Sequence, residues 1–334
     1  MSILVTGGLG YIGSHIIYDL VKQNYNVVII DNLLNSNIDK LSKIKSNLTL
    51  NEMSNFNINF YKIDMLDYIE LENIFNLHNI VGIIHLAGLK SVSESIKDPE
   101  LYYRNNIVST LNLVKCMKKF SVKNLIFSSS ATVYGNVQEC PYKESDLVGI
   151  GITNPYGKTK YFQEEMLIDL SKSENMNIII LRYFNPIGHL NLDFKEEPNG
   201  IPNNLFPYVV KVHNGELKKL TVFGSDYETK DGTCVRDFIH VMDLSDSHIV
   251  CLKHLLEQNE TSGVLKIYNV GTGNGISVLE LIKKYEEVNG VKINYVMGDR
   301  REGDVIEVYA DVSKIFKEIG WKSKFTLEQM VKYI

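Results

Sequence analysis

Tyr156 and Lys160 stand four positions apart in the run Tyr156-Gly157-Lys158-Thr159-Lys160. On a helix that spacing stacks both side chains on one face. A phenol has a pKa near 10 and is a poor base at neutral pH. Lowering it by about 3 units takes about 4 kcal/mol, which a unit positive charge about 4 Å away supplies at an effective dielectric of about 20. Lys160 is such a charge, so the pair reads as a phenolate base and its tuning cation. The pattern alone is cheap. Tyr18 and Lys22 repeat it on the first helix, just behind a glycine loop, where it reads as structural. Tyr156 differs by lying downstream of Ser128-Ser129-Ser130. A serine at the carboxyl end of a strand faces the ligand side of an open α/β sheet.

The glycine loop is Gly7-Gly8-Leu9-Gly10-Tyr11-Ile12-Gly13. It satisfies GxGxxG through Gly8, Gly10 and Gly13, and GxxGxxG through Gly7, Gly10 and Gly13. One glycine makes the tight turn, one lets the backbone approach a pyrophosphate, and one lets the helix pack on its strand. The following helix points its positive end at the phosphates. Asp31, at the end of the second predicted strand, can accept from adenosine ribose hydroxyls and would repel a 2′-phosphate, which favours NAD over NADP. Asp64 ends the third strand and reads either as an adenine contact or as a strand-end cap. Leu86-Ala87-Gly88 follows the fourth strand, where small residues let the chain pass close beneath a cofactor.

These residues need a scaffold. Predicted strands are Ile3–Thr6, Val27–Asp31, Asn59–Ile63, Gly82–Leu86, Asn124–Ser128 and Ile178–Tyr183. They are nearly continuous apolar runs, as strands covered on both faces should be. Helical spacing fills the gaps, as in His15–Gln23 and Leu101–Lys118. Alternation of β and α elements predicts a doubly wound parallel sheet of the Rossmann type. Beyond about residue 190 the texture changes. Turn-like Glu196–Pro202 and a polar loop Gly224–Gly232 precede strand-like Tyr268–Val270 and helix-like Val278–Asn289. The expected division is a cofactor-binding domain over residues 1–185 and a smaller α/β substrate lobe over 186–334, with some chain returning to the first. Lys40–Asn57 reads as a surface excursion.

Bulk properties exclude several classes. With 334 residues, 44% hydrophobic and 22% charged, and a net charge of -5, the chain lacks the basic surplus of a nucleic-acid binder. No apolar run approaches the ~18 residues of a membrane span, and the first strand leaves no room for a signal peptide. Cys116, Cys140, Cys234 and Cys251 form no CxxC pair and no zinc spacing, which points to a reducing, cytoplasmic setting and no metal. The histidines, His85 and His240 among them, read as packing or hydrogen-bonding residues.

The segments Gly7–Gly13, His85–Lys90, Phe127–Gly135, Asn154–Lys160, Arg182–Pro186, Ile201–Pro207 and Asp231–Asp243 together resemble the UDP-galactose 4-epimerase family of extended short-chain dehydrogenase/reductases. The likeness spans essentially the whole chain. In that family a tightly held NAD+ oxidises C4 of a UDP-hexose, the 4-keto sugar rotates, and the hydride returns to the other face. The resemblance implies Tyr156 as base, Ser130 as hydrogen-bond donor to the reacting oxygen, and Lys160 as the residue that tunes Tyr156 and holds the nicotinamide ribose. It implies an NAD cradle of Gly7, Gly10, Tyr11, Ile12, Gly13, Asp31, Asn32, Asn35, Ser36, Asp64, Met65, Leu86, Ala87, Gly88, Lys90, Asn105 and Phe184. For the UDP-sugar it implies Asn185, Asn204, Thr221, Val222, Phe223, Arg236, Arg301, Asp304 and Val308. Two arginines suit a diphosphate, and Asp304 could accept from ribose hydroxyls. Homodimers are the family habit, with Leu101–Lys118 and Lys160–Leu170 as candidate faces.

Dehydratase relatives need an acid/base pair directly after the serine or threonine, where this chain has Ala131-Thr132. Decarboxylating relatives carry glutamate at the position of Thr132. The missing carboxylates favour plain epimerisation. Three departures stand out. Phe238 replaces a tyrosine of some members. Val308 is medium-small at the position that gates the sugar 2-substituent, which points to acceptance of N-acetylhexosamines as well. The chain stops at Tyr333-Ile334 in what reads as a last helix, where the family usually continues. Rival readings are a 4-epimerase of another nucleotide sugar such as UDP-glucuronate, a non-catalytic NAD sensor, which would have lost the Tyr–Lys pair, and an alcohol dehydrogenase that exchanges its cofactor with solution.

Overall fold

A computed structural model describes residues 1–55, 57–136, 139–197, 200–257, 263–301 and 303–333. The predicted strands form with small boundary shifts: β1 Ser2–Thr6, β2 Asn26–Asp31, β3 Ile58–Lys62, β4 Ile80–His85, β5 Asn124–Ser130 and β6 Asn177–Tyr183. The later chain adds β7 Asn185–Ile187, β8 Leu220–Phe223, β9 Val235–His240, β10 Leu265–Val270, β11 Gly275–Ser277, β12 Tyr295–Gly298 and β13 Glu307–Val308. Seven strands make one sheet in the order β10-β6-β5-β4-β1-β2-β3, parallel at every pairing. The order reverses between β1 and β4, and the crevice beyond that switch point is where ligands enter such sheets.

The strands are apolar on both faces because both are covered. Ile3, Val5, Val27, Ile29 and Ile84 pack in one cluster, and Leu4, Val28, Ile30 and Ile83 in another, all essentially inaccessible. Helices Tyr11–Lys22 and Val241–Glu257 pack against one another over the first face. Val241–Glu257 and β10 both lie beyond residue 185, so this later chain completes the main sheet and its cover. Around β9 a second sheet forms, with β11 antiparallel and β7 and β13 parallel to it. β8 and β12 make a separate parallel pair. A third cluster, including Phe206, Val209, Val222, Leu281 and Tyr285, fills the space beneath these smaller sheets.

Three expectations change. The helix predicted over Leu101–Lys118 is interrupted: a π turn at Arg104–Val108 separates Pro99–Tyr103 from Ser109–Lys119. Periodicity cannot show one extra residue in a turn, and π turns gather at functional sites. The excursion over Lys40–Asn57 contains two helices, Asp39–Ser46 and Leu50–Asn55, and buries Lys40, Ile44 and Leu48. The Lys40 ammonium donates to the carbonyls of Asp193 at 3.0 Å and Lys195 at 3.2 Å, so polar composition disguised an anchored segment. The last helix covers Leu327–Val331, with Lys332 already extended. Of the predicted turn Glu196–Pro202, residues 198 and 199 lie outside the described residues, as do residues 302 and 334.

Candidate active site

The long helix Pro155–Ser173 begins where its sequence says it should. Asn154 accepts from the Gly157 amide at 2.9 Å, and Pro155 occupies the first helical position, where a missing N–H costs nothing. Tyr156 therefore sits in the first turn, at the ligand end of the sheet. The phenol of Tyr156 is pushed up by burial and pulled back by a hydrogen bond with Ser130 and by the charge of Lys90. Ser130 ends β5 and caps the short turn Ala131–Tyr134, accepting from the Thr132 amide at 3.3 Å. The Lys160 ammonium is buried, donates to the Ser128 carbonyl at 2.6 Å, and lies 4.8 Å from the centre of the Phe127 ring. Burial lowers its pKa to about 8, against the support of Glu164. Lys90 is thus the cation that acts on the phenol, while Lys160 lies one helical turn on with its ammonium held by Ser128. Lys90 itself pairs with Glu196 at 3.0 Å, whose charge raises the lysine's pKa.

The glycine loop fits a dinucleotide. Gly7 has φ +67°, and a Cβ there would lie 2.8 Å from the Ala87 amide nitrogen. A Cβ on Gly13 would lie 2.6 Å from the Gly7 carbonyl oxygen. The loop after β1 is thereby pressed against the segment after β4, leaving Leu86, Ala87 and Gly88 beside it. Gly10 caps helix Tyr11–Lys22 without a side chain, and no acid occupies the first turn, so the amides there suit a pyrophosphate. Tyr11 donates its hydroxyl to the Gly188 carbonyl, and Ile12 packs at the core edge. Asp31 accepts from the Leu9 amide at 3.0 Å, the Leu33 amide at 2.9 Å and the Ser36 hydroxyl at 2.7 Å. The carboxylate therefore braces the glycine loop from behind. Asn32 donates to Asp64 at 3.2 Å, which joins the ends of β2 and β3. Asn35 is exposed nearby, and Met65 is buried. Asn105 lies on the π turn, and Phe184 packs with Tyr142 and Val308.

The residues implied for a UDP-sugar lie on the smaller sheets. Asn185 opens β7, exposed, and pairs in register with Phe238. Asn204 precedes helix Leu205–His213 and spends no side-chain hydrogen bond on capping it. Thr221, Val222 and Phe223 belong to β8, with Val222 buried and Phe223 exposed. The Arg301 guanidinium stands 5.8 Å from the Phe223 ring and donates to Asp304 at 2.7 Å. Arg236 on β9 approaches the same Asp304 oxygen at 3.8 Å. One carboxylate thus aligns two arginines. Val308 on β13 borders the cluster of Tyr134, Tyr142 and Phe184.

Several residues of this arrangement carry no obvious mark in the sequence. Asn106, turned inward by the π turn, accepts from the Leu89 amide at 2.8 Å and donates to Leu89 and Thr159 at 3.0 Å. It ties the Leu86–Lys90 segment to the long helix. His85 bonds Thr6 and Thr110 and is kept neutral by burial, with a pKa of about 3. Asp237, next to Arg236, accepts from Thr272, Gly273 and Ala310. Glu164 had a readable signal, because it continues the four-residue stripe of Tyr156 and Lys160. Neither Ala131 nor Thr132 supplies an acid, and the Thr132 hydroxyl oxygen is buried without a partner among the described residues. Among those residues no group of three or more His, Cys, Asp or Glu could hold a metal ion, and no helix is long and apolar enough to cross a membrane.

The family model described as GDP-mannose 4,6 dehydratase matches residues 4–334. The UDP-glucose 4-epimerase of Bacillus subtilis (strain 168) is 45% identical over 332 residues, covering 99% of this chain and 94% of the relative. The crystal structure of UDP-glucose 4-epimerase from Bifidobacterium longum in complex with NAD+ and UDP matches with a TM-score of 0.91 and 44% identity, covering 99% of this chain and 96% of that one. The UDP-Glc/GlcNAc 4-epimerase of Campylobacter jejuni matches with a TM-score of 0.83 and 34% identity, over 99% of this chain and 96% of that one. A serine, tyrosine and lysine at the switch point, without a dehydratase's carboxylate beside the serine, agree with these likenesses, and the chain belongs to the UDP-glucose 4-epimerase family.

Proposed function

We infer that this protein is an NAD-dependent epimerase that interconverts UDP-galactose and UDP-glucose. The observation that carries the reading is Tyr156 in the first turn of the long helix, its phenol acted on by Ser130 and by the Lys90 charge, with Lys160 one turn on and anchored to Ser128, and with no acid at Ala131 or Thr132. NAD bound in the glycine-loop crevice supplies reversible hydride acceptance at C4 of the sugar. Tyr156 takes the proton of the C4 hydroxyl, retains it while the keto sugar turns, and returns it. Ser130 donates to the reacting oxygen. The Lys90 charge opposes the rise that burial imposes on the phenol and so favours its ionised form. Arg236 and Arg301 hold the diphosphate, Asn185 and Asn204 orient the sugar nucleotide, and Phe223 offers a face to the base. Residues 1–185 do mainly the cofactor's work and residues 186–334 mainly the substrate's, with β10 and helix Val241–Glu257 serving the first unit.

The test is turnover of UDP-galactose by purified protein without added NAD, followed as UDP-glucose by NMR. Conversion is expected, and Tyr156→Phe should lower it by at least a thousandfold. Undiminished turnover in that variant would remove Tyr156 from the mechanism. The size of Val308 supports acceptance of UDP-N-acetylglucosamine as well; turnover within tenfold of that with UDP-galactose is expected, and none at all would refute this extension. Homodimerisation is supported by a row of exposed apolar residues, Leu101, Val108, Leu111 and Phe162, on adjoining helices. Four free cysteines, three of them buried, support work in the reducing cytoplasm.

A further inference from the structure

After β7 the chain runs along the dinucleotide crevice, and the contacts of residues 188–197 fall on both of its banks. On the β1 side the Gly188 carbonyl accepts from the Tyr11 hydroxyl, and the Leu190 amide donates to His15 Nε2 at 3.3 Å. The Phe194 ring is wholly buried, 5.1 Å from the ring of His15 and 5.6 Å from that of Tyr18. Tyr11, His15 and Tyr18 form one face of helix Tyr11–Lys22, the helix whose first turn suits the pyrophosphate. On the β4 side Glu196 pairs with Lys90 at 3.0 Å. β1 and β4 are neighbours in the sheet, so residues 188–197 join the two sides of the switch point. From behind, the segment is held by helix Asp39–Ser46 and the residue after it. The buried Lys40 ammonium donates to the Asp193 and Lys195 carbonyls at 3.0 and 3.2 Å. Asn47 accepts from Asn191 at 2.6 Å and donates to the Asp193 carboxylate at 2.9 Å.

We propose that Lys40 is a positioning residue for the cofactor: it holds residues 188–197 as a strap across the crevice, latched by the Lys90–Glu196 pair, and the strap slows the release of NAD. This rests on the NAD site of the reading above, and not on which sugar is turned over. A buried ammonium is costly unless its hydrogen bonds are made, and here they go to two carbonyls of one short segment. Drawing the carbonyls of Asp193 and Lys195 to a single ammonium fixes the chain directly before Glu196, which then meets Lys90. Glu197 turns the other way, toward Lys43 at 3.7 Å. A dinucleotide lying between the glycine loop and Tyr156 passes between Tyr11 and Lys90, the residues that the strap joins. It leaves only when one fastening opens. The Lys90 side chain is 60% exposed, and exposed ion pairs are weak, so the latch opens first. The Lys40 end is buried and keeps the strap in place to close again.

Release is measured on purified holoenzyme mixed with excess alcohol dehydrogenase and ethanol, which reduce each NAD set free and raise the near-ultraviolet absorbance. Lys40→Met keeps the apolar stem and removes the ammonium. It should release NAD about tenfold faster or more, as the loss of hydrogen bonds from a charged donor implies. Glu196→Ala opens the latch and should speed release about threefold. Because both changes act on one strap, the double variant should be no faster than Lys40→Met alone. Asn47→Ala removes the bonds to Asn191 and Asp193 without emptying a buried charge site, and should also speed release about threefold; it decides the matter if Lys40→Met does not fold. Release at the wild-type rate in these variants, or effects of Lys40→Met and Glu196→Ala that multiply in full, would overturn the proposal by reducing Lys40 to a prop of its own helix. A wild-type protein that loses its NAD within seconds would overturn it too. The assay needs no sugar nucleotide, so a protein that fails to convert UDP-galactose is still tested.

Discussion

Lys160 shows how a residue's surroundings set its chemistry. Its pKa falls from 10.5 to about 8 because burial penalises the ammonium. The folded state therefore prefers the neutral amine. The stability this contributes is complete above about 10.5 and is lost as pH falls through about 8. On the proposed mechanism activity runs the other way, because the Lys160 charge disappears as pH rises through about 8. The expected result is an alkaline limb near pH 8 in kcat/KM, moved well upward in Lys160→Arg, whose guanidinium stays charged. A limb at the same pH in that variant would assign it to another group. The Tyr–Lys spacing was legible in the sequence. The second cation, Lys90, was legible as a cofactor contact through the family likeness, whereas its charge on the phenol depends on two loops meeting in space.

Among elements, the glycine loop was the most legible and the π turn the least. Backbone crowding leaves side chains no room in the loop, so its glycines can be read from the chain. A Cβ at position 13 meets the Gly7 carbonyl oxygen at 2.6 Å and the Gly8 Cα at 2.7 Å, and backbone cannot step aside as a side chain can. Gly13→Val should lose about 1–3 kcal/mol through overpacking and be purified with less than a tenth of the wild-type NAD content, measured after denaturation. Full NAD content in that variant would refute the cradle as described. The turn at Arg104–Val108 has no comparable signature. The inward aim of Asn106 follows from one added residue per turn, which the hydrophobic pattern of the surrounding helices conceals.

At the scale of the molecule, the chain crosses between its halves more often than its linear texture suggests. β10 hydrogen-bonds along β6, helix Val241–Glu257 packs on Tyr11–Lys22, and Tyr142 exchanges backbone bonds of 2.9 and 2.7 Å with Tyr309 and Asp311. The wall that carries Val308 is thus fastened to the loop after β5, close to Ser130. Leu101, Val108, Leu111 and Phe162 leave an exposed apolar row on the outer helices, the face proposed above for a second copy of the chain. Leu111→Glu on that row should give a monomer by sedimentation at micromolar concentration, with the melting temperature of the isolated fold lowered by only a few degrees. A dimer that survives this change would place the interface elsewhere.

The apolar runs, the three-glycine loop and the Tyr–Lys pair by themselves specified a doubly wound sheet and pointed to a dehydrogenase-type site, because local periodicity and close backbone approach are written in residue types. Asp31 was legible as an acid at the end of a strand, but its use as a brace for the Leu9 amide depended on how two loops fold over one another. The same holds for Asp304 between Arg236 and Arg301, and for Glu164 between Ser129 and Arg182. Such partners are brought together by sheet register and by chain returning from far along the sequence. Spacing along a chain carries no record of those distances, so only the folded molecule could supply them.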